Sequence, residues 1–200
     1  MNAATGKDDM ADFQAIHSVG SSVVKYLRNA YPATLPTCDF ALLSSGEMAE
    51  DKDLPTTLSL YLYRLAINEH LRNRGAAGLS PEARGPLSLD LHFLLTAWAK
   101  TASEEQVILA WALRQLHAVP VLDVSSLSPE GGWDAGDVVH LIPAEISNED
   151  MMRIWDAVTP SYRLSFPYVA RVVRIDPEAG EEARPVVATR LAFTEREARP

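Results

Sequence analysis

The chain has 200 residues, of which 47% are hydrophobic and 22% charged. That balance excludes wholesale disorder, a collagen-like repeat and a disulfide-stapled miniprotein, and the length fits one domain with at most an appendage. The net charge of −9 argues against nucleic-acid binding by phosphate neutralisation and against an anionic membrane surface.

From Asp12 to Tyr31 the apolar residues Phe13, Ile16, Val19, Val23, Val24, Leu27 and Tyr31 recur at helical spacing. Asp9 and Asp12 stand where a cap would open that helix, and Pro32 follows its end. Thr37–Leu43 reads as a short strand, and Ser44–Pro55 as a polar, acidic loop. Two runs, Thr57–Asn68 and Leu87–Trp98, alternate apolar and polar residues as half-buried strands do. The glycines and prolines of Asn73–Pro86 predict a long hairpin connection between them.

Ser103 and Gln106 form a capping-box pattern that opens a helix over Ser103–His117, stopped by Pro120. Leu122–Gly136 reads as a loop and Val138–Ile142 as a short strand. Ser147 and Asp150 open a further helix, with Met151, Ile154, Trp155 and Val158 on one face. In the last strong strand, Tyr162–Ile175, Pro167 cannot donate to a ladder and so predicts an edge or a bulge. A charged turn then leads to one more alternating run, Val186–Phe193.

These elements predict one α/β (α+β) domain over residues 8–176, followed by an extension over 177–200. Its central antiparallel or mixed sheet should have about four to five strands, with helices packed on one face. Leu60, Leu89, Leu91 and Phe93 are expected to face the helix carrying Val107 and Trp111.

A search for chemistry returns little. His17, His70, His92, His117 and His140 lack the spacings that collect a metal. Cys38 is the sole cysteine, so no intrachain disulfide and no multi-cysteine metal site can form. Ser22 and Lys25 match the S-x-x-K pattern of a lysine-activated serine, without its companion motifs. The glycine-rich stretch Gly131–Gly136 is neither a dinucleotide fingerprint nor a P-loop, and reads as a turn. The acidic residues Glu47, Glu50, Asp51 and Asp53 lack calcium-loop spacing and read as a solvated loop. No catalytic, cofactor or metal site is expected. The acidic N-terminus has no apolar core of a secretory signal, and no apolar run reaches the ~18 residues of a spanning helix.

Four segments in order carry a family resemblance. They are FQAIHSVGSSVVKYLRNAYP, LPTTLSLYLYRLAINEHLRNR, LSLDLHFLLTAWAKTASEEQVILAWALRQLHAVPVL and IPAEISNEDMMRIWDAVTPSYRLSFPYVARVVRID. Over about Asp12–Asp176 the chain resembles the cap, or tail-terminator, proteins of phage-tail-like extracellular contractile injection systems. The resemblance implies a homohexameric ring on the inner tube, at the end distal to the baseplate, contacting the last tube and sheath rings. It further implies assembly in the bacterial cytoplasm into a particle that can be released. No enzymatic activity, cofactor, nucleic acid or membrane insertion is implied. Another ring-forming adaptor or baseplate component of such a particle is the alternative, and a small hydrolase built on Ser22 and Lys25 a remote one.

A closed ring needs two complementary patches on each subunit. Arg72, Arg74 and Arg84, around the Asn73–Pro86 hairpin, are candidates for one; Glu50, Asp51 and Asp53 are candidates for the other. Charge runs are also common as plain surface decoration. In Val186–Phe193 the period-two rule places Val187, Thr189, Leu191 and Phe193 on one face. That strand fits either a return hairpin onto its own sheet or addition to a neighbouring chain.

Overall fold

The computed structural model describes residues 13–50, 54–72, 86–158 and 160–175. Helix α1 (Ala15–Ala30) leads to strand β1 (Asp39–Leu43), a short helix α2 (Ser45–Ala49) and strand β2 (Thr57–Ile67). A single turn, α3 (Glu69–Arg72), precedes β3 (Leu87–Trp98), which is followed by α4 (Ala102–Ala118) and β4 (Val121–Asp123). A 3-10 turn (Pro129–Gly131), β5 (Val138–Pro143), α5 (Asn148–Asp156) and β6 (Ser165–Ile175) complete the order.

Six strands share one mixed sheet in the order β1-β2-β3-β6-β5-β4. Strand β1 runs parallel to β2, while the other described pairs are antiparallel. The sheet therefore exceeds the four to five strands expected. The addition is the three-residue β4, a strand too short to show a period and read from the sequence mostly as loop, while β1 falls within the expected Thr37–Leu43 strand.

Alternation decides the two faces. The odd positions of β3, Leu89, Leu91, Phe93 and Leu95, join Leu58 and Leu60 of β2 against Val19, Val23 and Leu27 of α1. Ile108, Trp111, Ala112 and Leu116 of α4 close the same cluster. Val107 does not: it is 41% exposed, because the buried stripe of α4 follows Ile108 and Trp111 instead.

Helices also cover the other face, against the one-sided packing expected. Leu94 and Trp98, at even positions of β3, form a second cluster with Met48 of α2 and Trp155 of α5. Strand β3 is thus buried on both sides, Leu94 being 0% exposed. The helix α5 is amphipathic and must bury its apolar stripe against some partner; this face supplies it.

Caps differ in detail. Ser44 and Glu47 form a reciprocal capping box that turns part of the expected acidic loop into α2. Thr101, rather than Ser103, caps α4 by accepting from the Glu104 N–H at 3.3 Å. Gln14 stands at the N-cap of α1 and makes no side-chain cap bond; Asp9 and Asp12 lie outside the described residues.

Pro167 does not mark an edge, since β6 lies between β3 and β5. Its carbonyl accepts from Ala144 N–H at 3.0 Å on the β5 side, just where β5 ends at Pro143. In an antiparallel ladder a residue's N–H and C=O point the same way. The missing N–H therefore points past the end of β5 and leaves the β3–β6 ladder intact. The bulge of that ladder falls elsewhere, between the Leu89 and Leu91 registers.

Candidate functional site

Ser22 is a structural residue. Its side chain is 1% exposed, and its Oγ donates to the Ser18 carbonyl at 2.6 Å while accepting from the Ser128 N–H at 2.8 Å. One turn earlier, Ser18 Oγ donates to the Ser128 carbonyl at 2.7 Å and accepts from Trp133 Nε1–H at 2.9 Å. These two serines fasten the 128–133 loop to α1 across more than a hundred residues of chain. Lys25 is exposed and forms no hydrogen bond with Ser22. A buried hydroxyl whose donor and acceptor sides are both engaged has neither a base nor access to substrate. The serine–lysine dyad reading is therefore corrected.

Ser22→Ala should destabilise the fold by about 1–3 kcal/mol, because the buried Ser128 N–H loses its acceptor. Lys25→Ala should change stability by no more than about 0.5 kcal/mol. Denaturant titration of both variants measures this difference, and equal effects would contradict the geometry.

The glycine-rich stretch is a turn, as read: Gly132 ends the 3-10 turn at φ 63°, a left-handed conformation that favours glycine. Among the described residues, no group of three or more His, Cys, Asp or Glu is arranged to hold a metal ion. Burial pushes the Cys38 thiol up to about 11, and it donates to the Asp39 carbonyl at 3.3 Å. Cys38 is consequently a neutral thiol at physiological pH, the opposite of an activated nucleophile. Among the described residues, no helix is long and apolar enough to cross a membrane.

The expected interface residues are placed only in part. Glu50 ends α2 and is exposed, and Arg72 is the last residue of α3. Asp51, Asp53, Arg74, Arg84, Val187, Leu191 and Phe193 lie outside the described residues.

Sequence reasoning missed the surface next to α5. Tyr61, Tyr63, His92, Ile142 and Val169 line a cleft of about 840 Å³ between the sheet and α5. Its floor continues into Arg64, Asp90 and Arg171. Asp90 is only 6% exposed and accepts from Asn68 Nδ2 and Arg171 Nε, each at 3.0 Å. The Arg171 side chain remains half exposed. Burial, followed by the neighbouring Arg64 charge, lowers the His92 pKa, so this imidazole is neutral at physiological pH. Asp90, set in the middle of an apolar run, was the one sequence signal that this face carries a polar system.

A second exposed surface is apolar. Leu65 and Ile67 of β2 and Leu87 of β3 are 49%, 55% and 46% exposed at one end of the sheet. They lie on the α1–α4 side.

A single mixed sheet with helices on both faces defines an α+β domain. The chain belongs to the Pvc16 N-terminal domain family, which matches residues 18–189. Its fold is similar to the PVC sheath/tube terminator of an extracellular contractile injection system in its extended state. That likeness has a TM-score of 0.54 and 17% identity, and covers 92% of this chain and 64% of that one. The fold is also similar to the tube-terminating cap of the anti-feeding prophage, with a TM-score of 0.53 and 17% identity. There the cover is 88% of this chain and 60% of that one. The chain thus spans a little under two thirds of both structures. No curated protein matches it. The resemblance read from four ordered segments agrees with this family and with the fold of the two solved terminators.

Proposed function

We propose that this chain caps a contractile injection particle, as one subunit of a ring that terminates the inner tube and sheath at the end distal to the baseplate. The observation that carries the reading is coverage. Nearly the whole chain, 92% of it, aligns with a sheath/tube terminator, and the family match spans most of the same residues. In this reading residues 8–176 form the capping domain and 177–200 an extension. The partners are further copies of the chain in a hexamer, the last tube ring and the last sheath ring, assembled in the bacterial cytoplasm. The role is mechanical: the fastened Ser22 and the neutral Cys38 thiol supply no activated nucleophile.

Negative-stain imaging of the purified chain, alone and mixed with tube and sheath, tests the proposal. Rings, or decoration of the tube end opposite the baseplate, are expected. Decoration of the baseplate end would instead indicate an adaptor or baseplate component, and isolated monomers beside bare tube ends would overturn a ring-forming role.

The charged loops give a second test. Reversing Arg72 and Arg74 to Glu should weaken ring or particle-end assembly, more at low salt than at high, since exposed charges are screened beyond about 10 Å at 0.1 M salt. Assembly that is unchanged across salt would remove both arginines from the interface. For the extension, deleting Pro185–Pro200 should leave a folded domain that no longer assembles if Val187, Leu191 and Phe193 pair between chains. A lowered melting temperature of the isolated domain would point to a return hairpin instead. Unchanged melting with intact assembly would exclude both roles.

A further inference from the structure

Between β5 and β6 the chain leaves the sheet and returns to it, and α5 rides on that excursion. One end is fixed where the Ala144 N–H donates to the Pro167 carbonyl at 3.0 Å. The other is fixed at Leu164, whose carbonyl accepts from the Ala97 N–H and whose N–H donates to Glu105 Oε1, each at 3.3 Å. Between these anchors, every hydrogen bond and ion pair of the described residues of 145–162 is internal to the excursion. Ser147 caps the helix by accepting from the Asp150 N–H, and Arg153 pairs with Glu149 one turn away. Among the described residues, then, no hydrogen bond or ion pair ties α5 to the sheet.

Apolar contact holds the helix instead, and that contact is narrow. Trp155 is the one buried residue of α5, while Met151 and Ile154 on the same stripe are half-buried. The Trp155 indole packs edge-to-face on Trp98 and Tyr162, with ring centroids 5.9 and 5.8 Å apart. Beside this pin, the cleft is lined by Ile154, Ala157 and Val158 of the excursion and by Ile142 and Val169 of the sheet. The pin is also imperfect. Trp155 is 4% exposed, and its Nε1–H is buried with no hydrogen-bond partner. Its neighbour Trp98, by contrast, donates from Nε1–H to Ser59 Oγ at 2.8 Å. A buried donor without an acceptor has given up its bond to water, and lifting the helix restores that bond.

We propose that the excursion carrying α5 is a lid that opens as a unit, hinged at Ala144 and Leu164, at a free energy well below that of global unfolding. Segments with few buried apolar contacts and little hydrogen bonding to the rest of a domain are the ones that open first. Opening wets the Trp155 N–H and uncovers Met48, Leu94 and Trp98, which pack with Trp155 in one cluster. The sheet survives the motion, because the ladders of β3 run to β2 and β6 and none passes through the excursion. A ligand for the uncovered face meets only the open fraction of the chain, so its apparent affinity falls in proportion to that fraction.

Native-state hydrogen exchange on the full chain, read by mass spectrometry of proteolytic fragments, tests this. Amides of residues 151–158 should be at least about tenfold less protected than those of α4 and of the centre of β3. Two variants then separate a lid from a domain that opens all at once. Ile108 is 0% exposed in α4, away from the lid, and is equally buried whether the lid is open or closed. Ile108→Val should therefore speed exchange of the most protected α4 amides by about fivefold, and leave α5 within about twofold of wild type. Trp155→Ala removes the pin and should speed exchange across α5 by at least about tenfold. Ile108→Val is a mild change, so its result stands even where Trp155→Ala leaves the lid permanently open. Equal protection of α5 and α4 in the wild-type chain would overturn the proposal. So would an Ile108→Val effect shared equally by α4 and α5, which would make α5 part of the global unit. Exchange of α5 that does not respond to Trp155→Ala would overturn it as well.

Discussion

Phe93→Ala is expected to lower the unfolding free energy by about 3–5 kcal/mol, a large share of the ~5–15 kcal/mol of a typical domain. Phe93 is 1% exposed at the centre of β3, paired with Leu62 on one side and Tyr168 on the other. Its ring lies against α1, 3.5 Å from the point where a Cβ on Gly20 would stand. Truncation removes contacts with β2, β6 and α1 together. Because those elements are joined in one sheet-and-helix layer, the site cannot collapse around the loss. Chemical denaturation measures the effect. A soluble Phe93→Ala chain with an unshifted midpoint would place that strand face elsewhere.

Gly131→Ala is expected to cost about 2–6 kcal/mol, combining overpacking with a buried donor left unpaired. A Cβ at Gly131 would collide with the Trp133 indole, coming within 2.6 Å of Cε2, and would lie 2.9 Å from Ser18 Cβ. The indole could give way only by breaking the Nε1–H bonds to Ser18 Oγ at 2.9 Å and to the Ser128 carbonyl at 3.1 Å. Backbone conformation is not the obstacle, since the left-handed glycine of this turn is Gly132. A double-mutant cycle with Trp133→Phe provides the check. The smaller ring makes room for the methyl group and has no N–H to strand, so the combined loss should fall well below the sum of the single losses. Additive losses would show that the glycine is required for some other reason.

Much of the local structure could be read from the residues. Strand β3 occupies the Leu87–Trp98 run, β2 stops one residue short of Asn68, and α4 extends the Ser103–His117 reading by one residue at each end. Alternation and 3.6-residue periodicity are properties of neighbouring residues, so they survive in a sequence read by itself. The same holds for the family, recognisable from four segments in a fixed order. The candidate site was much less legible. The charged and C-terminal interface residues belong mostly to stretches outside the described structure. The cleft and its floor, by contrast, are made of residues far apart in the chain: Arg64, Asp90, His92, Ile142 and Arg171.

By itself, then, the sequence determined most of the stretches that form helices and strands, and the main apolar face of each. It did not determine what covers them. Alternation made β3 read as half-buried, and only the folded chain brings Met48 and Trp155 against Leu94 and Trp98 on its second face. Pro167 announced a missing donor, and only the end of β5 shows where that donor would have pointed. Ser22 matched S-x-x-K only as a remote alternative, and only the Ser128 N–H, 106 residues away and bonded to its oxygen, shows what that hydroxyl does. The reason is common to all three cases. Local periodicity specifies that an apolar face or a polar atom needs a partner, whereas the choice of partner depends on strand order and chain closure, which are settled only when distant segments pack together.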